Sequence, residues 1–136
     1  MVTQEYINKT SYKIIGCAIE VHSHLGPGLL ESVYETCLIE ELKNAGLSVQ
    51  SQINIPIYYK GKDIGGTLKL DILVNDLIII ELKAVEQMIP LYKAQLLSYL
   101  KLTNKPKGLL LNFNSENIKK QLISLVTEEF GKLPKH

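Results

Sequence analysis

The sequence predicts an α/β fold, a mixed β-sheet flanked by helices, and three features lead to it. Apolar residues recur at helical spacing through the first third of the chain, alternate from Leu47 onward, and then return to helical spacing before a last short apolar run. The order reads α-α-β-β-β-α-β plus a terminal element. With 136 residues, 46% of them hydrophobic, the chain is long enough for one domain spanning 1–136 and short for two.

Residues 8–24, "NKTSYKIIGCAIEVHSH", place Ile14, Cys17, Ala18 and Val21 three and four apart behind Thr10 or Ser11 as a cap, which predicts a helix. "GPG" at 26–28 stops it. Leu30, Val33, Tyr34, Cys37, Leu38 and Leu42 then carry a second helix up to Gly46. "LSVQSQINIPIYY" alternates, "YKGKD" turns, and "IGGTLKLDILV" returns as the second strand of a meander. "LIIIELK" is a third strand whose isoleucine run implies burial on both faces and a central place in the sheet. Pro90 suits a first helical turn, and Leu91, Gln95, Leu96, Tyr99 and Leu100 continue that helix to Asn104. "KGLLLNF", 107–113, is a short strand, "NIKKQLISLV" fits either strand or helix, and the tail "GKLPKH" is expected to fray.

The net charge of +1 neither demands nor excludes nucleic acid as a partner, although all 15 basic residues are lysines and none is arginine. Cys17 and Cys37 stand alone, with no zinc-type spacing, and read as reduced packed thiols. The N-terminus lacks the apolar stretch of a signal peptide, and no run approaches the roughly 20 residues of a membrane span. A cytoplasmic protein without a membrane partner is the expectation.

The chemistry gathers in "LDILVNDLIIIELK", residues 70–83, where Asp71, Glu81 and Lys83 interrupt two strands that otherwise read as buried. Glu81 and Lys83 share a face with Ile79, and Asp71 shares one with Lys69 and Leu73. A two-residue Asn75-Asp76 loop would pair Asp71 with Ile80 and send the carboxylates to opposite faces. A three-residue loop or a bulge would set Asp71 across from Glu81. Carboxylates that close need a positive partner: a divalent cation, Lys83, Lys69, or a combination. Oxygen ligands alone favour Mg2+ or Mn2+, and Lys83 would then stand near the attacking water or the phosphate, as metal-assisted phosphodiester hydrolysis requires. The same spacing also fits a structural ion pair of Asp71 with Lys69 or Lys83 at the sheet rim.

Asp71, then Glu81-Leu82-Lys83, ahead of a helix carrying "QLLSY", resembles the PD-(D/E)XK nuclease superfamily, with Leu70 in place of the usual proline. "GLLESVY" at 28–34, with "YYKGKDIG", "LKLDILV", "IIIELKAVE", "AQLLSYLK" and "GLLLNF", resembles more closely the GxxExxY family within it, over about residues 10–125. The resemblance implies a restriction-endonuclease-like core and a small Mg2+- or Mn2+-dependent nuclease acting on nucleic acid, DNA before RNA. It makes Asp71, Glu81, Glu31 and the Leu82 carbonyl metal ligands and Lys83 the catalytic lysine. Gln95 and Tyr99 match the Q-x-x-x-Y element of RecB-like nucleases; Tyr34 reads as packing and His22 as a structural histidine. Glu31, just after Gly28, also suits a helix N-terminus and shares a face with Tyr34 and Leu38. Without arginine, phosphate contacts fall to Lys69, Lys93, Lys101, Lys107, Lys119 or Lys120 as point charges. The chain carries almost nothing beyond the nuclease core, so a homodimer or a partner protein would complete a binding groove. Two alternatives remain: a non-hydrolysing module of this fold that binds nucleic acid or protein, and an oligomerisation domain.

Overall fold

The isoleucine run of residues 78–80 is buried on both sides because it forms the middle strand of a five-stranded sheet. The computed structural model describes residues 1–136. Its strands, in sheet order as in sequence order, are β1 (Val49–Tyr59), β2 (Lys62–Val74), β3 (Ile78–Lys83), β4 (Lys107–Asn112) and β5 (Ile123–Val126). β3 and β4 run parallel across the helix α3 (Pro90–Thr103), and every other neighbouring pair is antiparallel. The sheet is therefore mixed, with helices on both faces. Ile78, Ile80 and Leu82 pack with Ile14 and Val21 of α1 (Gln4–Leu25) and Leu38 and Leu42 of α2 (Glu31–Asn44). Ile79 packs on the other face with Leu96 and Leu100 of α3. Gly108 lets α3 lie close on β4, since a Cβ there would stand 2.9 Å from Leu96 and Leu100 methyl carbons.

Several local expectations change. α1 starts at Gln4, where the Thr3 side chain accepts the Tyr6 N–H at 3.0 Å. Thr10 and Ser11 lie inside the helix and donate to the Tyr6 and Ile7 carbonyls one turn back. The buried stripe begins at Ile7, a heptad before Ile14, so the cap lies upstream of both residues proposed from sequence. The ambiguous segment "NIKKQLISLV" is both types in turn, the short helix α4 (Ile118–Gln121) and then β5, and α5 (Glu128–Gly131) follows. The tail is docked rather than frayed. The Pro134 and Lys135 carbonyls accept the Gln4 and Glu5 N–H groups at 2.8 and 3.0 Å, satisfying donors that a helix N-terminus leaves free, and Leu133 packs on the core.

One irregularity shapes the site. Ile72 and Val74 of β2 face α1 and α2, whereas Leu68, Leu70 and Leu73 face α3, so the alternation inverts between Leu70 and Asp71. β1 inverts at the same level: Val49 packs on the α1–α2 side and Ile53, Ile55 and Ile57 on the α3 side. Gln52, between the two sets and level with Asp71 in the register, takes a left-handed φ of +51°. Asp71 therefore keeps the face of Leu73 and parts from Lys69, which is exposed.

Candidate active site

The β2–β3 register pairs Val74 with Ile78, Leu73 with Ile79 and Ile72 with Ile80. Residues 75–77 thus form a three-residue loop, in which Asn75 and Asp76 adopt φ of +52° and +57°. The next position along each strand brings Asp71 opposite Glu81. Regular pairing stops there, and side chains take over. The Asp71 N–H donates to Glu81 Oε1 at 3.3 Å, and the Leu82 N–H donates to Asp71 Oδ2 at 3.0 Å. Each strand holds the other's carboxylate at the point where the two separate.

Glu81 is only 6% exposed. Burial first, then the Asp71 charge and a hydrogen bond shared with Asp71, raise its pKa to about 9 against the pull of Lys83 and the Asp71 N–H. Glu31, the first residue of α2, keeps solvent access, yet partial burial and then the Asp71 charge also push its carboxyl upward, opposed by Lys83. The Asp71 charge therefore acts on two further acidic groups at one end of the sheet. Lys83 acts on them only at a distance and pairs with none: its Nζ stands 4.5 Å from the centre of the Tyr92 ring, and none of the five ion pairs in the structure includes Asp71, Glu81, Lys83 or Lys69. The rim ion pair that the spacing also allowed is not formed.

The spacing of Gly28, Glu31 and Tyr34 has a physical basis. Gly28, at φ +99°, closes a loop that most side chains would strain, and Glu31 opens the helix that follows. Tyr34, fully buried, donates its hydroxyl to the Gly26 carbonyl and accepts the Leu29 N–H at 3.1 Å. Its ring stacks on Phe113 with centroids 4.8 Å apart, and the Phe113 N–H donates to the Lys83 carbonyl at 2.9 Å. The packing role read for Tyr34 thus ties the loop before Glu31 to the strand end that carries Lys83.

On α3, burial first and then the Glu81 and Asp71 charges raise the Tyr99 hydroxyl pKa, while its hydrogen bond with Gln95 lowers it. Gln95 and Tyr99 therefore border the acidic pair. Two residues of this region went unmarked in the sequence. Tyr92 lies on the same helical face, one turn before Gln95, and that spacing could have revealed it. Asn112 is a lone amide ending an apolar strand, paired in register with Lys83. Its Oδ1 accepts from Val85 and Asn114 N–H, each at 3.1 Å, and its Nδ2 donates to the Val85 carbonyl and Gln121 Oε1, each at 2.9 Å. It secures the chain just beyond Lys83.

Other expectations sort by position. His22 Nε2 lies 2.7 Å from the Ser115 carbonyl, a structural hydrogen bond. Lys107 is buried at the end of β4 away from Lys83, and desolvation lowers its pKa, so it is withdrawn from the phosphate-contacting lysines. Lys69, Lys93, Lys101, Lys119 and Lys120 are exposed.

No three His, Cys, Asp or Glu side chains converge tightly enough to cage an ion by themselves. The donor chemistry nevertheless fits a hard divalent cation: oxygen only, with two carboxyl groups in contact, a third nearby and no ammonium between them. No helix is long and apolar enough to cross a membrane.

A family model of the PD-(D/E)XK nuclease superfamily matches residues 8–125, which takes in both strands of the acidic pair and the helices bearing Glu31, Gln95 and Tyr99. No curated protein and no solved structure gives a significant match. The chain belongs to the PD-(D/E)XK nuclease superfamily, whose members cut nucleic acid and generally depend on a divalent metal ion.

Proposed function

We propose that this protein hydrolyses phosphodiester bonds of nucleic acid, DNA in preference to RNA, as a Mg2+- or Mn2+-dependent enzyme of the GxxExxY type. The observation that carries the reading is the Asp71–Glu81 pair, two neighbouring carboxyl groups each held by the other's strand, with no ion pair to either. Such an arrangement costs stability in the absence of a cation and is relieved by one. Asp71, Glu81, Glu31 and the Leu82 carbonyl would hold the ion, which supplies positive charge for the phosphate and a more acidic water. Lys83 needs only a side-chain rotation to leave the Tyr92 ring, a contact worth roughly 0.5–1 kcal/mol at a partly exposed site. It would then place its ammonium beside the attacked phosphate. Gln95 and Tyr99 offer an amide and a hydroxyl to orient the same group.

The test is cleavage of labelled single- and double-stranded DNA and RNA with Mg2+, Mn2+ or EDTA, comparing wild type with Asp71→Ala and Lys83→Ala. Metal-dependent cutting that both substitutions abolish is the expected result, and cutting that survives both refutes the assignment. A second reading, a module that binds nucleic acid without cutting it, draws on the position of Lys83 over Tyr92 rather than beside the carboxylates. It predicts binding without metal-dependent turnover, with a second copy of the chain or a partner protein needed before any cutting occurs.

A further inference from the structure

Beyond the Ile72–Ile80 pair β2 leaves β3, and β1 and β2 continue alone as a two-stranded ribbon from Ile53–Leu70 to Tyr59–Lys62. Lys60 and Gly61 close it with φ of +50° and +81°, the conformation of a tight two-residue hairpin turn. Ile53, Ile55, Ile57, Leu68 and Leu70 join the cluster that contains Ile79, Leu96, Tyr92 and Tyr99, so the ribbon lies on the side of the sheet that bears Glu81 and Lys83.

The tip adds little to that packing. Tyr58, Tyr59 and Ile64 are 56%, 63% and 55% exposed, and Lys60 and Lys62 beside them are exposed too. Lys60 Nζ stands 5.4 Å from the centre of the Tyr59 ring. The one acidic residue at the tip, Asp63, turns its Oδ1 to the Gly65 N–H at 2.8 Å. Exposed aromatic rings beside exposed ammonium groups are rewarded by a polyanion that also presents sugars and bases. The shape narrows the choice. β2 bulges between Asp63 and Thr67, so the span is read on β1: Tyr59, paired with Lys62, stands seven residues from Gln52, which is level with Asp71, roughly 23 Å at strand rise, or about seven base pairs of B-form duplex. A two-stranded ribbon fits the major groove of B-DNA, whereas the deep, narrow major groove of A-form RNA shuts side chains out.

We propose that the ribbon tip is a second contact on double-stranded DNA, with Lys60 and Lys62 on phosphates about seven base pairs from the bond at the carboxylate site. The substrate is then a DNA duplex longer than that span, a conclusion that rests on the nuclease reading above. The experiment measures fluorescence anisotropy in EDTA on hairpin-capped duplexes of about 5 and about 24 base pairs, lengths below and above the span. It compares wild type with Lys60→Asn/Lys62→Gln, since asparagine tolerates the left-handed backbone at position 60. The double variant should lose about tenfold in affinity for the long duplex and nothing for the short one, and its log–log salt dependence should fall by about 1.8, two phosphate contacts' worth. Unchanged affinity for the long duplex, an equal loss at both lengths, or the same loss on duplex RNA overturns the proposal. Mn2+-dependent cutting of the same duplexes, by wild type and Asp71→Ala, separates the two readings. No cutting by wild type, with length-dependent binding intact, defeats the nuclease and leaves the ribbon. Cutting that Asp71→Ala abolishes, with length-independent binding, defeats the ribbon alone.

Discussion

Replacing Glu81 by glutamine should make the metal-free protein more stable and inactive at once. The folded site holds the Glu81 carboxyl at about 9 against an ordinary 4.5. Because the folded value is the higher one, the protonated carboxyl contributes stability that is fully present below about pH 4.5 and is lost as pH rises through 9. At pH 7 the unfolded chain has released a proton that the folded site retains, over an interval of about 2.5 pH units at 1.36 kcal/mol each, on the order of 3 kcal/mol. Glutamine has the same shape, accepts the Asp71 N–H through Oε1, and offers an amide N–H to the Asp71 carboxylate where the acid had its proton. In EDTA the variant should therefore melt roughly 9 °C above wild type at pH 7, and within about 2 °C of it at pH 5. Mn2+ should raise the melting temperature of wild type far more than that of the variant, and nucleic-acid cleavage should vanish in the variant. Circular-dichroism melts at the two pH values, with and without Mn2+, decide the matter. A gap between variant and wild type that is the same at pH 5 and pH 7 would refute the argument, since the stabilisation would not come from titration of this carboxyl.

Gly108→Ala places a methyl against Leu96 and Leu100 and should cost about 1–3 kcal/mol in urea unfolding, together with activity, by lifting α3 and its Gln95–Tyr99 pair off the sheet. Asn112→Ala leaves the Val85 and Asn114 N–H groups without their side-chain acceptor, and should cost about 2–4 kcal/mol in the same assay. Tyr34→Phe keeps the stack on Phe113 but frees the Gly26–Leu29 loop. A loss of about 1 kcal/mol in stability, with weaker Mn2+ binding by calorimetry, is the expected result if the loop positions Glu31.

Much of this structure was legible because its signals are periodic. Helical spacing from Ile14 to Leu42, the isoleucine run of β3 and Pro90 at the head of α3 marked the elements in their order. The Asp71–Glu81 facing was legible only as one of two outcomes, because it depends on whether Leu77 belongs to the strand or the loop. Leu77 is apolar, and it serves as the third loop residue while packing against the α1–α2 side of the core. The inversion at Gln52 and Asp71 was hidden for a related reason. Leu68, Leu70, Ile72 and Val74 alternate without a break, yet they serve opposite faces, and a left-handed backbone at a glutamine leaves no compositional mark. The docked tail rests on main-chain carbonyls of Pro134 and Lys135, which any residue could supply.

That docking makes the molecule a nearly closed circle. Gln4 and Glu5 meet Pro134 and Lys135 at the start of α1, a helix of 22 residues, so the junction lies roughly 33 Å along the helix from the "GPG" loop that leads to Glu31. A short linker could join the ends and the chain be reopened between Lys60 and Gly61, yielding a permuted protein with both new ends at the ribbon tip. Labels or a second domain placed there would sit at the proposed DNA contact, while the acidic pair, its two strands and the helices around them stayed continuous.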